Sequence, residues 1–330
     1  MTTVTPDAGD LDDLGAGRGG ASGSGSAAGG AGGVGTGRAR AIAGRLRPSR
    51  LLLNIALGAI ALFWLVPTVS LAIISLRPES LFEISGWWKV FTAPSQLTFH
   101  NYSAILSGGF AAGGALDSLV TSLEITVPAA LLVTVISSMA AYSLVFGQWK
   151  GRDWVFLLIV GLIVVPLQVA LIPVVELYHT VGNITGYNPF GKIVGVVIFH
   201  VGFGLPFGIF LMRNFYLGIP RDLIEAGRMD GAREWKLFRR VVLPLGLPAA
   251  AALGVFQFVW VWNDLLVALV FLGGNPHVPL TIYLFDQTRS LAADYWLIAT
   301  GGILSVIIPV IVFFAFQRHF VRGMLAGAVK

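Results

Sequence analysis

The chain has 330 residues, of which 55% are hydrophobic and 12% charged. Soluble domains carry about 25% charged residues. That deficit, with a mean hydropathy of +0.79, excludes an ordinary soluble domain and defines a polytopic membrane protein. The net charge is +5, and cysteine is absent, which excludes disulfides, thiolate metal sites and cysteine nucleophiles.

Residues 1–50 form a Gly/Ala/Ser-rich tail with almost nothing to bury, which predicts disorder. The tail contains G-x-G-x-x-G at Gly15, Gly17 and Gly20. No strand signal precedes it and no helix-forming run follows directly, so a dinucleotide site is not inferred. The first apolar run starts after residue 50, too late and too long for a secretory signal.

A membrane-crossing helix needs about 20 apolar residues. Six runs qualify: residues 51–76, 118–146, 154–177, 191–215, 247–272 and 295–317. Solid runs rather than short alternating segments predict an all-α chain of six transmembrane helices. With the N-terminus in the cytoplasm, 18 of the 22 Lys and Arg residues fall on cytoplasmic segments. Only Arg77, Lys89, Lys192 and Arg289 fall outside. The charge asymmetry therefore places both termini inside a multi-pass cell-membrane protein.

In chain order, the first outside segment (77–117) carries Trp87, Trp88, Phe91 and Tyr102, suited to an interfacial or partner-facing surface. Its L-S-G-G, Leu106 to Gly109, matches an ATPase signature tetrapeptide. No phosphate-binding G-x-x-x-x-G-K-[ST] loop accompanies it, so it is read as coincidence. Glu124 lies in the second run, where a structural role or a proton relay is open. In the third run Gln168 stands between Pro166 and Pro173, and each proline removes a helix hydrogen bond. A kinked gate and ordinary interhelical bonding both fit. His200 in the fourth run has no evident co-ligands for a metal and is read as structural. In the fifth run Asn263 and Asp264 are flanked by Trp260 and Trp262. Polar groups at membrane depth face protein or water. They serve either as anchors or interhelical bonds, or as the lining of a translocation path in which Trp stacks on sugar.

The fourth and fifth runs are separated by a dense insert, about residues 216–246. From Arg221 to Arg240 it holds six basic and four acidic residues. Pro220 suits a helix start, and Leu223, Ile224 and Met229 give one apolar side. Gly231 allows a bend, and Trp235, Phe238, Val241 or Val242 and Leu245 recur at helical spacing. Two short amphipathic helices joined at Gly231 and ending at Pro244 are expected. A lipid-lying helix would be mainly basic. Mixed charge around an apolar face fits a protein groove better.

The insert resembles the motif E-A-A-x3-G-x9-I-x-L-P of permease subunits of bacterial ABC importers. Here it reads Glu225-Ala226-Gly227, then Asp230-Gly231, then Val241-Val242-Leu243-Pro244, with Gly227 and Val241 departing from the pattern. F-H-N-Y-S-A-I-L (99–106), P-L-Q-V-A-L-I-P (166–173), W-V-W-N-D (260–264) and the terminal F-V-R-G-M-L-A-G-A-V-K (320–330) are similar to the maltose-type carbohydrate class. The resemblance covers nearly all of residues 51–330 and implies the type I importer permease fold. It implies that Glu225, Ala226, Gly227, Asp230, Gly231, Trp235, Phe238, Leu243 and Pro244 form a coupling element for cytoplasmic ATPase subunits. It also implies that the tail at Arg322, Gly323, Gly327 and Lys330 reaches toward them. Expected partners are two ATPase subunits, a second permease subunit, an extracytoplasmic solute-binding protein and lipid, with no nucleic acid. ATP would be cleaved on another chain, so no enzyme activity and no cofactor are expected here. The alternative is an ion-coupled secondary transporter using Asp264 or Glu124, although no internal repeat supports it.

Overall fold

The computed structural model describes residues 48–82, 84–107, 113–289 and 295–328, with side chains left out at 48–51, 82 and 318–328. The Gly15–Gly20 stretch, most of the proposed disordered tail, and Lys330 lie outside the described residues. The chain falls into two units, Met1–Ala59 and Ile60–Lys330, and the packing below concerns the second.

Every regular element among the described residues is helical. Helix α1 (Pro48–Ser75) is followed by the short α2 (Glu79–Phe82), two 3-10 turns (Trp87–Phe91 and Pro94–Gln96) and α3 (His100–Ser107). Helix α4 (Ala115–Phe146) leads to α5 (Arg152–Ile163), α6 (Leu167–Thr185) and α7 (Ile193–Tyr216). The insert forms α8 (Arg221–Met229) and α9 (Glu234–Leu237), and a π turn (Phe238–Val242) runs into α10 (Leu243–Trp262). Helices α11 (Leu266–Leu272), α12 (Leu280–Arg289) and α13 (Tyr295–Ala328) complete the chain.

Among the described residues five helical segments are long and apolar enough to cross a membrane, and α5 with α6 makes a sixth if the bent pair counts as one span. The third span is therefore not the single kinked helix expected. Its halves meet at 103°. Pro166 has no N–H to continue the helix and disfavours the α conformation at the residue before it, and the chain breaks at residues 164–166. Pro173, by contrast, is accommodated inside α6. The fifth apolar run, 247–272, is also divided: the segment long enough to cross is Glu234–Trp262, and after it the short α11 starts at Leu266.

Helix α4 is the hub. Its main partners are α7 and α10. The α4–α7 seam is close because Gly204 and Gly208 of α7 lie against Val133 and Ser137. A Cβ added at either glycine would fall within 3 Å of those side chains. Small residues four apart let membrane helices approach at backbone distance, where dispersion replaces the missing hydrophobic drive. One apolar cluster joins α4, α6, α7 and α11 around Phe199 and Phe271. A second joins α4, α7 and α10 to the insert through Ile224, Leu237 and Phe238.

Candidate functional site: the insert and the polar break in the fifth span

Helix α8 starts at Pro220, with Asp222 in its first turn and Arg228 in its last, each placed favourably for the helix dipole. It ends in a Schellman closure. The Ala232 N–H donates to the Gly227 carbonyl and the Gly231 N–H to the Arg228 carbonyl, both at 3.0 Å. Gly231 takes φ +70°, a left-handed conformation that side chains resist. The glycine of the motif is thus the residue that turns the chain between α8 and α9.

Gly227 has a steric role. A Cβ there would lie 2.5 Å from Cδ2 of Leu237. Leu237 and Ile224 are almost fully buried and fasten the two short helices to the end of α4.

A polar clamp adds to this. The Arg228 guanidinium donates to both carboxylate oxygens of Glu234, at 3.0 and 3.3 Å, and to the Phe146 carbonyl at 2.9 Å. The Tyr142 hydroxyl donates to the same carboxylate at 2.5 Å. The bond to Glu234 holds the Arg228 pKa above its usual value. None of Arg228, Glu234, Tyr142 and Phe146 was singled out in the sequence. Their one legible signal was opposite charge six residues apart across Gly231.

Two expectations need correction. Leu223, Ile224 and Met229 do not share a buried side: Ile224 is inside, Leu223 is half-exposed, and Met229 is 88% exposed. Nor does Pro244 end the second helix, because the π turn carries α9 into α10. The Leu243 N–H bonds back five residues to the Phe238 carbonyl, and this wider turn relieves the clash a proline ring makes in an α-helix.

Of the remaining motif residues, Glu225, Ala226 and Asp230 are exposed, Phe238 is buried, Leu243 is half-buried, and Trp235 is 59% exposed. Trp235, Phe238, Tyr142, Glu234 and Met139 line a cleft of about 180 Å³. The insert presents Leu223, Met229 and Trp235 outward on a base fixed from within.

At the break in the fifth apolar run, Asp264, which precedes the N-cap residue Leu265, accepts the Ala268 N–H at 3.1 Å and so satisfies a free donor in the first turn of α11. Its carboxylate stands 3.7 Å from Nε2 of His200, which is not the isolated residue expected. A recess of about 10 Å³ beside them, lined also by Ser122 and Thr126, is the size of one water. Asn263 is exposed and bonds back to the Val259 carbonyl.

The two tryptophans diverge. Trp262 is 3% exposed and donates to the Ser305 carbonyl of α13, so it is turned into the protein, beside the small recess at His200 and Asp264. Trp260 meets the His200 ring edge to face and lines a cavity of about 200 Å³ with Phe203, Phe207, Phe256 and Gln257. Gln257 was missed in the sequence. Gln168 is exposed at the start of α6 and Glu124 is exposed on α4, so neither is drawn to this cavity. Arg322, Gly323 and Gly327 lie in the continuing helix α13, and their side chains are outside the described residues.

This is the fold of an ABC-importer membrane component, and residues 133–326 match the family described as the binding-protein-dependent transport system inner membrane component. The chain belongs to that family and is a transport permease of the membrane. It is 43% identical to the osmoprotective compounds uptake permease protein GgtD of Synechocystis sp., over 85% of this chain and 92% of that one. It is 41% identical to the alpha-glucoside transport system permease protein AglG of Rhizobium meliloti, over 72% of this chain and 62% of the relative's length. A chain in the crystal structure of a bacterial ABC transporter that imports the acidic polysaccharide alginate shares the fold. Its TM-score is 0.70 at 22% identity, over 83% of this chain and 97% of that one. Family membership does not favour the ion-coupled alternative, and it accords with a non-catalytic transport role.

Proposed function

We propose that the chain is one permease subunit of an ATP-driven importer of sugars or glycosides, and that residues 216–246 are its ATPase-coupling element. The observation that supports this most is the construction of the insert. Helices α8 and α9 are locked to the end of α4 by buried Ile224 and Leu237 and by the Arg228 clamp. The outer face keeps Leu223, Met229 and Trp235 uncovered. A short lever fixed to a long helix and bare on its far side transmits a push from a cytoplasmic partner.

In this reading one of two ATPase subunits docks on Glu225, Asp230 and Trp235, and the other ATPase subunit, a second permease subunit and a solute-binding protein complete the complex. ATP is bound and cleaved on the partner chain, and this chain carries no cofactor. The tail from Arg322 to Lys330 extends toward the ATPase subunits. Trp260 and Gln257 are the substrate-facing residues of this chain, with Asn263 at the edge of the path. The name of AglG, an alpha-glucoside transport system permease, favours a sugar or glycoside cargo.

The test is uptake of a radiolabelled α-glucoside by vesicles holding the whole complex, with and without the ATPase subunits. Uptake that persists without them would overturn the reading.

A further inference from the structure

We propose that residues 84–99 form an aromatic platform that lies in the headgroup layer of the extracytoplasmic leaflet and fixes the outer end of α1 to lipid.

Helix α1 sets the height. Its apolar stretch Leu52–Ser75 has 24 residues, and residues 52–69 of it are all exposed. At 1.5 Å per residue it is about 36 Å long, enough to cross a hydrocarbon core of about 30 Å. Ser75 therefore stands at the membrane surface.

The following segment is tied to that level rather than extended into water. Arg77, 1% exposed, donates to the Ser85 carbonyl at 3.0 Å, to the Ser85 hydroxyl at 2.7 Å and to the Leu81 carbonyl at 3.2 Å. The Thr98 N–H bonds to the Leu76 carbonyl at 2.7 Å. Asn101 donates to the carbonyls of Ser75 and Arg77, and the Tyr102 hydroxyl pairs with that of Ser75. Both ends of the 84–99 segment are thus stapled within one side-chain length of the end of α1.

The free surface of the stapled segment is apolar. Ile84, Trp88, Phe91 and Phe99 are each at least 60% exposed, while Val90 is turned inward. Trp88 is held in place: its ring lies over Gly86, where an added Cβ would meet it at 2.4 Å. Trp87 contacts both Trp88 and Phe91 edge to face. The sole charged side chain from residue 84 to residue 99 is Lys89, a cation suited to lipid phosphate.

Four large apolar side chains facing water would be a costly patch. Tryptophan and phenylalanine at the end of a membrane span are the composition of the lipid interface. A surface for a water-soluble partner would need charge complementarity that one lysine does not supply. The apolar side chains of α1 from Leu52 to Val69 are exposed in the same way, and this shared apolar exposure selects lipid over a soluble protein.

The cysteine-free chain makes the test direct. Nitroxide labels at Trp88→Cys and Phe91→Cys, in the full complex reconstituted into phosphatidylcholine vesicles, should be reached by oxygen and shielded from a water-soluble nickel chelate. Adding ligand-loaded binding protein should change neither accessibility. Because Trp88→Cys removes part of the platform, a second measurement uses the native residue. Brominated phosphatidylcholine should quench the emission of the native complex, and Trp88→Phe should remove part of that quenching. Ready access by the chelate, shielding from both reagents, or protection on adding the binding protein would each overturn the proposal. Since the readouts need no transport, they are independent of the sugar-import reading.

Discussion

Arg228, in the last turn of α8, donates a 2.9 Å hydrogen bond to the carbonyl of Phe146, the last residue of α4. A helix leaves its final carbonyls without partners. Here an arginine from 82 positions away fills one of them and also grips Glu234 across the Gly231 turn. The same side chain closes the insert on itself and joins it to the hub helix.

Arg228→Ala should therefore uncouple the transporter without unfolding it. The ion pair is partly solvated, with side-chain exposures of 28% and 58%, so its loss should cost about 1 kcal/mol or less. Membrane abundance should stay normal while uptake and transport-stimulated ATP hydrolysis fall together. Arg228→Lys keeps the charge but loses the two-pronged grip on Glu234, and should recover only part of the activity. Normal uptake by Arg228→Ala would show that Ile224 and Leu237 hold the lever unaided.

Gly231 sets the angle of the lever. At φ +70°, alanine should cost roughly 1–2 kcal/mol, and asparagine less. Proline cannot adopt that φ and also removes the N–H that closes the Schellman turn on Arg228. Uptake should fall in the order Gly, Asn, Ala, Pro at equal membrane levels. Equal activity of Gly231→Asn and Gly231→Pro would remove the turn from the mechanism.

The spans and the bend at Gly231 were legible because composition and spacing encode them directly. The breaks were less so. Pro166 was visible, but nothing local separates a kink from a 103° turn, which depends on what the two halves pack against. Asn263-Asp264 left both an anchoring role and the lining of a path open. It is in large part a helix stop followed by a cap, a signal that a continuous apolar run concealed. The clamp of Arg228, Glu234, Tyr142 and Phe146 spans up to 92 residues, and no one-dimensional pattern records such a meeting. Trp260 and Trp262, two residues apart, were read as a pair. The helix turns them about 200° apart, and only Trp260 reaches the cavity.

The orientation can be checked with two cysteines. Gly151 lies between the second and third spans on the side expected to be cytoplasmic, but its φ of +93° makes it a strained host for a cysteine. Lys150 is exposed and adjacent, and Ser80 is exposed on the opposite loop. In intact cells a membrane-impermeant maleimide should label Ser80→Cys and spare Lys150→Cys until the cells are opened. Labelling of both from outside would contradict the placement of the insert in the cytoplasm.

Asp264 separates the importer from the ion-coupled alternative. Its carboxylate caps α11 through the Ala268 N–H and faces His200. Asparagine offers the same acceptor oxygen without the charge, whereas alanine offers none and should destabilise the cap by about 1 kcal/mol. If the residue is a cap, Asp264→Asn should sustain ATP-dependent uptake and Asp264→Ala should lower the thermal stability of the purified complex. If it carried a coupling proton, the charge itself would be needed. Asp264→Asn would then be inactive, and a protonophore would stop uptake by the parent complex in ATP-loaded vesicles. The expected pattern is activity in the asparagine variant, indifference to the protonophore and a lowered melting temperature in the alanine variant. Loss of uptake in Asp264→Asn at full stability would instead assign the carboxylate a direct part in transport.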